Sequence, residues 1–169
     1  WLDYIETEVT LDSPYFLNNS RSREALEKML ESGQKVNILT NSLGSTDAIY
    51  VSTVFAEEVR GYTPLDNFSA YIYTGHFSNE SELMNDEIKN AVWGTHSKTI
   101  VFNDQAVMVG TFNIDNRSSY YNTEMAIFCN ESKEIRDDVM DNIKLRMKHS
   151  KKLGKNGRPE DGTALLANS

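Results

Sequence analysis

The chain has 169 residues, of which 39% are hydrophobic and 25% charged, and its formal net charge is −8. This length and composition are typical of one soluble domain with a real core, and the acidic balance argues against a surface built mainly to bind nucleic acid. No run approaches the roughly 18 consecutive apolar residues of a membrane span, and no signal peptide is predicted. The one cysteine, Cys129, lacks a partner for an internal disulfide, so we expect a small buried core residue there.

The first part of the chain predicts a β-α-β unit. Residues 4–17 alternate and carry β-branched and aromatic side chains, which indicates a strand. Apolar residues at helical spacing follow, with Ser20 or Ser22 as candidate N-caps and Gly33 as the stop. Residues 34–42 then form a short apolar strand.

A second helix and a third strand continue this alternation. The helix is expected to begin at Ser45, Thr46 or Asp47 and to end near Gly61, and the strand covers residues 68–75. Alternating strands and helices with short connections favour an α/β layered domain over a sandwich or a helical bundle.

The remaining elements are a loop, a strand and a long helix. Residues 76–94 are polar and predict a loop with some helical character, and residues 122–130 predict a strand. An amphipathic helix is expected from Ser132 to about His149, with apolar residues every four positions that would cover a sheet face: Ile135, Val139, Ile143 and Met147. Residues 151–169 are interpreted as a linker or tail, and since the chain does not open on methionine we expect a domain of a longer protein.

A polar hairpin stands out between the loop and the last strand. The stretch WGTHSKTIVFNDQAVMVGTFNIDNRSS reads as two strands, and residues two apart in a strand share a face, as do His96 and Lys98, and Thr111 and Asn113. A two-residue turn would bring both pairs to one face, whereas a three-residue turn would place Phe112 on the histidine's face. We predict the two-residue turn, because it places polar side chains rather than Phe112 on the face of the histidine.

This face combines an imidazole, a fixed cation, a hydroxyl and a carboxamide. An imidazole can attack phosphorus or exchange a proton, and the other groups can bind the non-bridging oxygens of a phosphate. Burying a histidine, a lysine and an asparagine together without a ligand would cost free energy. A lone histidine would be interpreted as a core residue, but this set favours catalysis.

The spacing HSKTIVFND with GTFN resembles the H-x-K-x4-D and G-S-x-N signature of the phospholipase D superfamily. Five residues match it position by position: His96, Lys98, Gly110, Thr111 and Asn113. The segments SPYFL, TNSLGSTD and FNIDNRSSYYNTEM are similar to bacterial cardiolipin-synthase-type members. The resemblance implies a layered α-β-α domain over residues 1–150, with a mixed, mostly parallel central sheet.

The same resemblance implies an active site built from two such motifs. One histidine attacks phosphorus to give a phosphohistidine, and the other protonates the leaving group. This chain has one motif, so the expected partner is a second half from the same full-length chain, or a second copy in a homodimer. The implied substrate is a phospholipid, with phosphatidyl transfer in cardiolipin synthesis. No metal or cofactor and no nucleic acid are expected, and the implied location is bacterial, in the cytoplasm or peripheral to the inner membrane.

Five further residues complete the implied site. Glu124 matches an acidic residue that hydrogen-bonds a catalytic histidine and sets its tautomer. The motif's aspartate position holds Asn103, so either Asp104 substitutes through a slip in the turn, or the structural carboxylate is absent and activity is reduced. Arg117 and Ser118 contact phosphate or cap a loop, and the two interpretations stay open.

Two more questions stay open at this stage. Asn41 and Ser42 follow a predicted strand where α/β sheets place ligands, so they line a pocket or cap a loop. The competing functions are a single-motif homodimeric phosphodiesterase or nuclease, and a catalytically impaired domain that only binds phosphate.

Overall fold

The computed structural model of the chain describes residues 6–46, 49–75, 91–104 and 106–163. It contains seven strands and four helices within those ranges: β1 (Glu8–Asp12), α1 (Ser20–Glu31), β2 (Lys35–Asn41), α2 (Ile49–Val59), β3 (Phe68–Tyr73), β4 (Thr99–Phe102), β5 (Ala106–Gly110), α3 (Asn116–Tyr120), β6 (Ala126–Cys129), α4 (Lys133–Lys148) and β7 (Ser150–Lys152). The predicted β-α-β unit is present: β1 and β2 are parallel neighbours in the sheet, and α1 connects them. Most of the predicted loop over residues 76–94 lies outside the described residues.

The strands form one mixed sheet in the order β6-β5-β4-β1-β2-β3-β7. Only the β1–β2 and β2–β3 pairs are parallel, and the other four pairs are antiparallel. The mixed α/β fold is therefore confirmed, but the prediction of a mostly parallel sheet was wrong. Parallel neighbours need a crossover that returns the chain to the same end of the sheet, and α1 and α2 supply the two that link β1, β2 and β3.

The β4–β5 hairpin has a different register from the one predicted. Phe102 pairs with Ala106 and Thr99 pairs with Val109, so three residues separate the strands and the predicted two-residue turn was wrong. Asn103 opens the turn with φ at 51°, in the left-handed region that asparagine tolerates. The β1–β4 and β4–β5 ladders both end at Thr99, and His96 lies three residues before it.

The helices cover both faces of the sheet. On one face, α1 and α2 bury a large apolar cluster that includes Leu26, Phe55, Ile38 and Phe102. On the other face, Met140 and Ile143 of α4 pack with the group Leu39, Tyr73, Val101 and Val107. Of the four apolar α4 residues predicted to cover the sheet, Ile135 is exposed. The layered α-β-α arrangement holds the two clusters together.

The N-cap of α1 differs from the prediction, whereas α4 begins after Ser132, as predicted. The N-cap of α1 is Asn19 rather than Ser20 or Ser22; its side chain accepts a hydrogen bond from Ser22 N at 3.0 Å, and Ser22 Oγ accepts one from Asn19 N at 2.9 Å. Two groups at the helix end are thus satisfied reciprocally. Gly33 follows the helix with φ at 79°, as a stop requires.

The C-terminal boundary lies beyond residue 150. Ser150–Lys152 forms β7 and pairs with β3, and Leu153 is only 4% exposed within the α1/α2 cluster. The interpretation of residues 151–169 as a linker therefore differs from the structure in its first residues, because a strand and a core side chain follow α4. Cys129 is only partly buried, since it lies on the edge strand β6.

Leu153→Ala is expected to lower the free energy of unfolding by about 2–4 kcal/mol, because it removes a buried side chain from the core. Leu65→Ala, at an exposed leucine, is the control and should cost less than about 1 kcal/mol. Urea unfolding measures both. Equal small losses would mean that the segment after α4 does not belong to the domain.

Candidate active site

His96 and Lys98 form the centre of the site. They lie in an irregular segment that leads into β4. Lys98 Nζ lies 3.3 Å from each ring nitrogen of His96 and donates to the His96 carbonyl oxygen at 3.0 Å. The imidazole is exposed. An accessible imidazole therefore has a fixed positive charge beside it.

Thr111 and Glu124 form a second pair next to the first. The Thr111 hydroxyl donates to Glu124 Oε2, and Asn122 Nδ2 donates to Glu124 Oε1 at 3.1 Å. Two bonds to Met125 fix the pair: Thr111 N donates to the Met125 carbonyl oxygen at 2.9 Å, and Met125 N donates to Thr111 Oγ1 at 3.0 Å. The hydrogen bond from Thr111, helped by Asn122 and by the charge of Lys98, lowers the pKa of Glu124. Glu124 is therefore a carboxylate at neutral pH, and the positive charge of Lys98 contributes to its lowered pKa.

Glu124 does not contact His96 within the described part of the chain. Its hydrogen bonds come from Thr111 and Asn122, whereas those of His96 involve Lys98. Among the described residues, Glu124 thus makes no hydrogen bond to a histidine, the bond that the resemblance implies. The register of β5 and β6 explains the difference, because it sets Gly110 opposite Ala126 and so leaves Glu124 next to Thr111.

Asn113 and Ser118 belong to a loop braced by a short helix. Asn113 N donates to Ser118 Oγ at 3.2 Å, and Ser118 N donates to Asp115 Oδ1 at 2.7 Å in the N-cap of α3. Asn113 Oδ1 is buried without a hydrogen-bond partner among the described residues. Ser118 is buried and Arg117 is exposed. The structure therefore gives Ser118 the capping role and leaves Arg117 on the surface.

Gly110 supports the site by its lack of a side chain. A Cβ there would come within 2.6 Å of the Met125 carbonyl oxygen. This glycine lets β6 approach closely enough for Thr111 to reach Glu124. Its role is spatial, and the prediction of phosphate contact does not follow from its position.

Asn103 and Asp104 lie away from the site, at the opposite end of β4. Asn103 Oδ1 accepts hydrogen bonds from Glu6 N at 3.1 Å and Thr7 N at 3.0 Å, which ties the turn to the start of β1. Asp104 is exposed in the same turn. Asn103 therefore supports the fold of the turn, which is the kind of role expected for the motif's structural carboxylate, and no slip of the turn brings Asp104 into that role. The property used at this position is an acceptor oxygen, which asparagine supplies as aspartate would.

Of the two roles open for Asn41, pocket lining or loop capping, the structure shows the second, a clamp on a loop. Asn41 Nδ2 donates to the Thr95 carbonyl at 2.9 Å, and Thr95 N donates to Asn41 Oδ1 at 2.8 Å. This pair of bonds holds the backbone just before His96. Ser42 takes part in a turn instead, where its N–H donates to Ser45 Oγ at 2.9 Å.

A buried ion pair lies beneath the site and was not predicted from the sequence. Asp12, at the end of β1, pairs with Arg146 of α4 and accepts a hydrogen bond from Thr95 Oγ1 at 3.4 Å. Burial raises the pKa of Asp12, against the opposing effects of Arg146 and of hydrogen bonds from Ser97 and Thr95. The one signal in the sequence was an acidic residue inside an apolar strand.

A comparison with known families agrees with this geometry. Residues 3–147 match the family described as "Cardiolipin synthase, PLD-like domain". The chain belongs to this phospholipase D-like family. Its members are phosphodiesterases and transferases, so the resemblance seen in the motif is confirmed at the level of the superfamily.

Bacterial relatives of this phospholipase D-like domain are much longer. A Helicobacter pylori protein without an assigned function is 36% identical over 126 residues, which are 70% of this chain and 23% of that protein. Cardiolipin synthase C of Escherichia coli is 32% identical over 120 residues, which are 69% of this chain and 25% of the synthase. The chain thus spans about a quarter of the length of these relatives.

Solved structures share the fold at low sequence identity. Nuc from Salmonella typhimurium, a phospholipase D family member, has a TM-score of 0.64 and 16% identity, covering 90% of this chain and 86% of Nuc. The phosphatidylserine synthase of Haemophilus influenzae has a TM-score of 0.68 and 13% identity, covering 92% of this chain and 36% of the synthase. The fold therefore occurs as nearly a whole chain and as a part of a longer one. Of the helices that the structure describes, none is long and apolar enough to span a bilayer.

Thr111→Val is expected to raise the pKa of Glu124 toward its ordinary value, because the hydroxyl that stabilises the carboxylate is lost. Since the folded pKa is lowered, this carboxylate stabilises the fold above its ordinary pKa, and that stabilisation is lost as the pH falls through the folded value. A carboxyl ¹³C NMR titration measures the shift. Thr111→Ser keeps the hydroxyl and should leave the pKa low; an unchanged pKa in the valine variant would contradict the assignment.

Asn103→Asp is expected to change the free energy of unfolding by less than about 1 kcal/mol, because a carboxylate accepts the same backbone N–H bonds. Asn103→Gly fits the left-handed turn but removes the acceptor, and should cost about 1–3 kcal/mol. Denaturant unfolding compares the two. The aspartate variant should not alter turnover, since about 16 Å of extended chain separates the turn from Lys98; a large gain in activity would show that the position acts on the site.

Proposed function

We propose that this domain supplies one half of a phospholipase D-type active site that transfers a phosphodiester through a phosphohistidine intermediate. The proposed substrate is a phospholipid, and the proposed reaction is phosphatidyl transfer in the synthesis of cardiolipin. The observation that carries the proposal is the accessible His96 imidazole held against Lys98, beside the ionised Glu124. The E. coli relative named cardiolipin synthase C supports the choice of reaction.

The chemistry follows from these groups. An imidazole nitrogen attacks phosphorus, the bond from phosphorus to the leaving alcohol breaks, and the alcohol oxygen takes a proton from a second imidazole. A new alcohol then attacks the phosphohistidine, the phosphorus–nitrogen bond breaks, and the proton returns to the second imidazole. Lys98 stabilises the charge on the non-bridging oxygens. The carboxamide of Asn113, whose Oδ1 has no partner among the described residues, is proposed to contact the same phosphate.

The second imidazole has to come from outside the described domain. His149 is the other histidine that the structure describes, and it precedes β7. Four strand spacings separate β7 from β4, or about 19 Å. A second half of the same full-length protein would bring its own histidine. Glu124, which does not contact His96, has a carboxylate available to accept a hydrogen bond from that second imidazole.

Exposed apolar side chains next to the site support the proposal that another protein surface covers it. Ile127 of β6 is 69% exposed and Met125 is 75% exposed. Val109 pairs with Ile127 on the sheet, and it is exposed too. Exposed apolar side chains in a contiguous patch are typical of an interface. This patch lies beside Thr111 and Glu124, where a second half would close the site and exclude water.

A homodimer is the second candidate. This chain covers 86% of Nuc, so a protein of about this length can consist almost entirely of this fold, as a homodimer of the chain requires. A second copy related by a two-fold axis would bring a second His96 to the first. An impaired phosphate-binding domain has less support, because the acceptor bonds of Asn103 do not need the missing charge.

Turnover of a chromogenic phosphodiester by the purified chain, across a range of concentrations, separates the candidates. We expect the folded chain alone to be inactive, and the full-length protein that contains it to be active and to lose at least about 10³-fold in kcat in His96→Ala. His149→Ala is the control and should keep full activity. Activity of the chain alone that rises with the square of its concentration would favour the homodimer and contradict the half-site.

The substrate is tested with vesicles of phosphatidylglycerol. Cardiolipin production by the full-length protein, followed by mass spectrometry, is the expected result. A phosphatidyl adduct on a histidine, stable in alkali and lost in acid, should accumulate when no acceptor alcohol is present. Diester hydrolysis without lipid transfer would retain the chemistry and exclude the proposed substrate.

A further inference from the structure

The segment that carries His96 lies before the start of β4, and its Lys98 carbonyl oxygen accepts one hydrogen bond from Gly110 N of β5, at 3.0 Å. Residues 92–98 have no regular structure, and β4 begins only at Thr99. Nevertheless Thr95 and Thr99 are buried while His96 is exposed. Contacts of the buried side chains, on what we call the underside of the segment, must therefore fix the direction in which the exposed His96 points.

Asp12 lies at the centre of that underside. It is the last residue of β1, it pairs with Thr99 in the β1–β4 ladder, and it is 1% exposed. Thr95 Oγ1 donates to Asp12 Oδ1 at 3.4 Å, and a hydrogen bond from Ser97 also reaches this carboxylate. Ser97 Oγ and Thr99 Oγ1 lie 2.7 Å apart. Three residues with odd numbers thus face the carboxylate.

The carboxylate binds Thr95 and Ser97, and Thr99 pairs with Asp12 on the ladder, so these odd-numbered residues lie on the Asp12 side of the segment. His96 lies between them in sequence and is exposed, so it points to the other side. This is the arrangement observed, with Lys98 Nζ within 3.3 Å of the imidazole. The carboxylate does not need to touch either group to set its direction.

Arg146 completes the underside from the last turn of α4. Its Nη2 binds Asp12 Oδ2, its Nη1 binds Asn142, and its side chain is 15% exposed. An unpaired carboxylate at this depth would be costly, whereas a buried ion pair adds little stability over a well-packed apolar pair. Stability alone therefore does not account for the two charges.

We propose that Asp12, held by Arg146, is a positioning residue that fixes residues 95–99 so that His96 and Lys98 present a constant geometry to the phosphodiester. The inference rests on the proposed function for its kinetic consequence. The positioning itself is a property of the fold and can be observed without turnover.

The chain offers a matched control on the same helix. Arg136 lies on α4 with a side chain 17% exposed, close to the 15% of Arg146. It donates to the Asn103 carbonyl oxygen from Nη2 at 2.8 Å and from Nε at 3.2 Å. It therefore anchors the far end of β4, away from His96. Loss of either arginine removes a half-buried anchor of the sheet, but only Arg146 contacts Asp12.

The kinetic test uses the form of the protein that turns over the chromogenic diester. Asp12→Asn should lower kcat about 100-fold with KM changed less than about threefold, because a small displacement of a nucleophile has that effect. Arg136→Met should destabilise the fold and leave kcat within about twofold. The double variant Asp12→Leu with Arg146→Leu should regain stability toward urea yet keep the low kcat.

The outcomes that overturn the proposal are equally specific. Recovery of kcat together with stability in the leucine double variant would show a purely structural role. Asp12→Asn with kcat within twofold of the parent, or an equal loss of kcat in Arg136→Met, would do the same.

An NMR measurement on the 169-residue chain separates this proposal from the proposed function. The side-chain signals of His96 should be sharp and single in the parent and in Arg136→Met, and broadened or doubled in the leucine double variant. If the parent protein fails to turn over any phosphodiester, the proposed function fails while this result still supports positioning. Unchanged His96 signals in a folded double variant would overturn the positioning role.

Discussion

The site depends on the way two buried polar side chains hold an irregular segment against the ends of two strands. Asp12 ends β1 and Asn41 ends β2, and both bind Thr95. These side chains fix a segment that lies before the regular ladder, where the bond from Gly110 N to the Lys98 carbonyl oxygen is the one backbone bond to β5 among the described residues. β1 and β2 are central strands of the sheet and pair in parallel, and Asp12 and Asn41 are both buried. His96 and Lys98 are thus carried by a loop whose supports belong to the core.

The sheet also explains why the site is open. Helices cover the centre of both faces, but β5 and β6 extend to an edge where apolar side chains such as Ile127 stay exposed. His96, Lys98 and Glu124 lie near that edge, in contact with solvent. Charge stabilisation of a transition state is strongest where water is excluded. A surface that covers this edge would both bury its apolar side chains and strengthen the electrostatics of the site.

The charges are arranged differently above and below the catalytic segment. Above it, Lys98 lies against His96 and the ionised Glu124 binds Thr111, both on the solvent side of the segment. Below it, Asp12 and Arg146 neutralise each other in the interior. An ion pair that is shielded from water keeps a fixed geometry, whereas surface groups can exchange partners when a ligand arrives. The fold therefore separates the groups that hold the site from those that act in it.

The sequence by itself determined the β-α-β start, the long helix α4, the family and the identities of His96, Lys98, Thr111, Asn113 and Glu124, because periodicity and motif spacing are written in neighbouring residues. Only the tertiary structure decided the three-residue hairpin turn, the mixed rather than mostly parallel sheet, and the structural role of Asn103. It also decided that Glu124 binds Thr111, and that Asp12 meets Arg146 across 134 positions of sequence. Such contacts arise from the packing of helix against sheet, and local sequence patterns carry no record of a partner that distant.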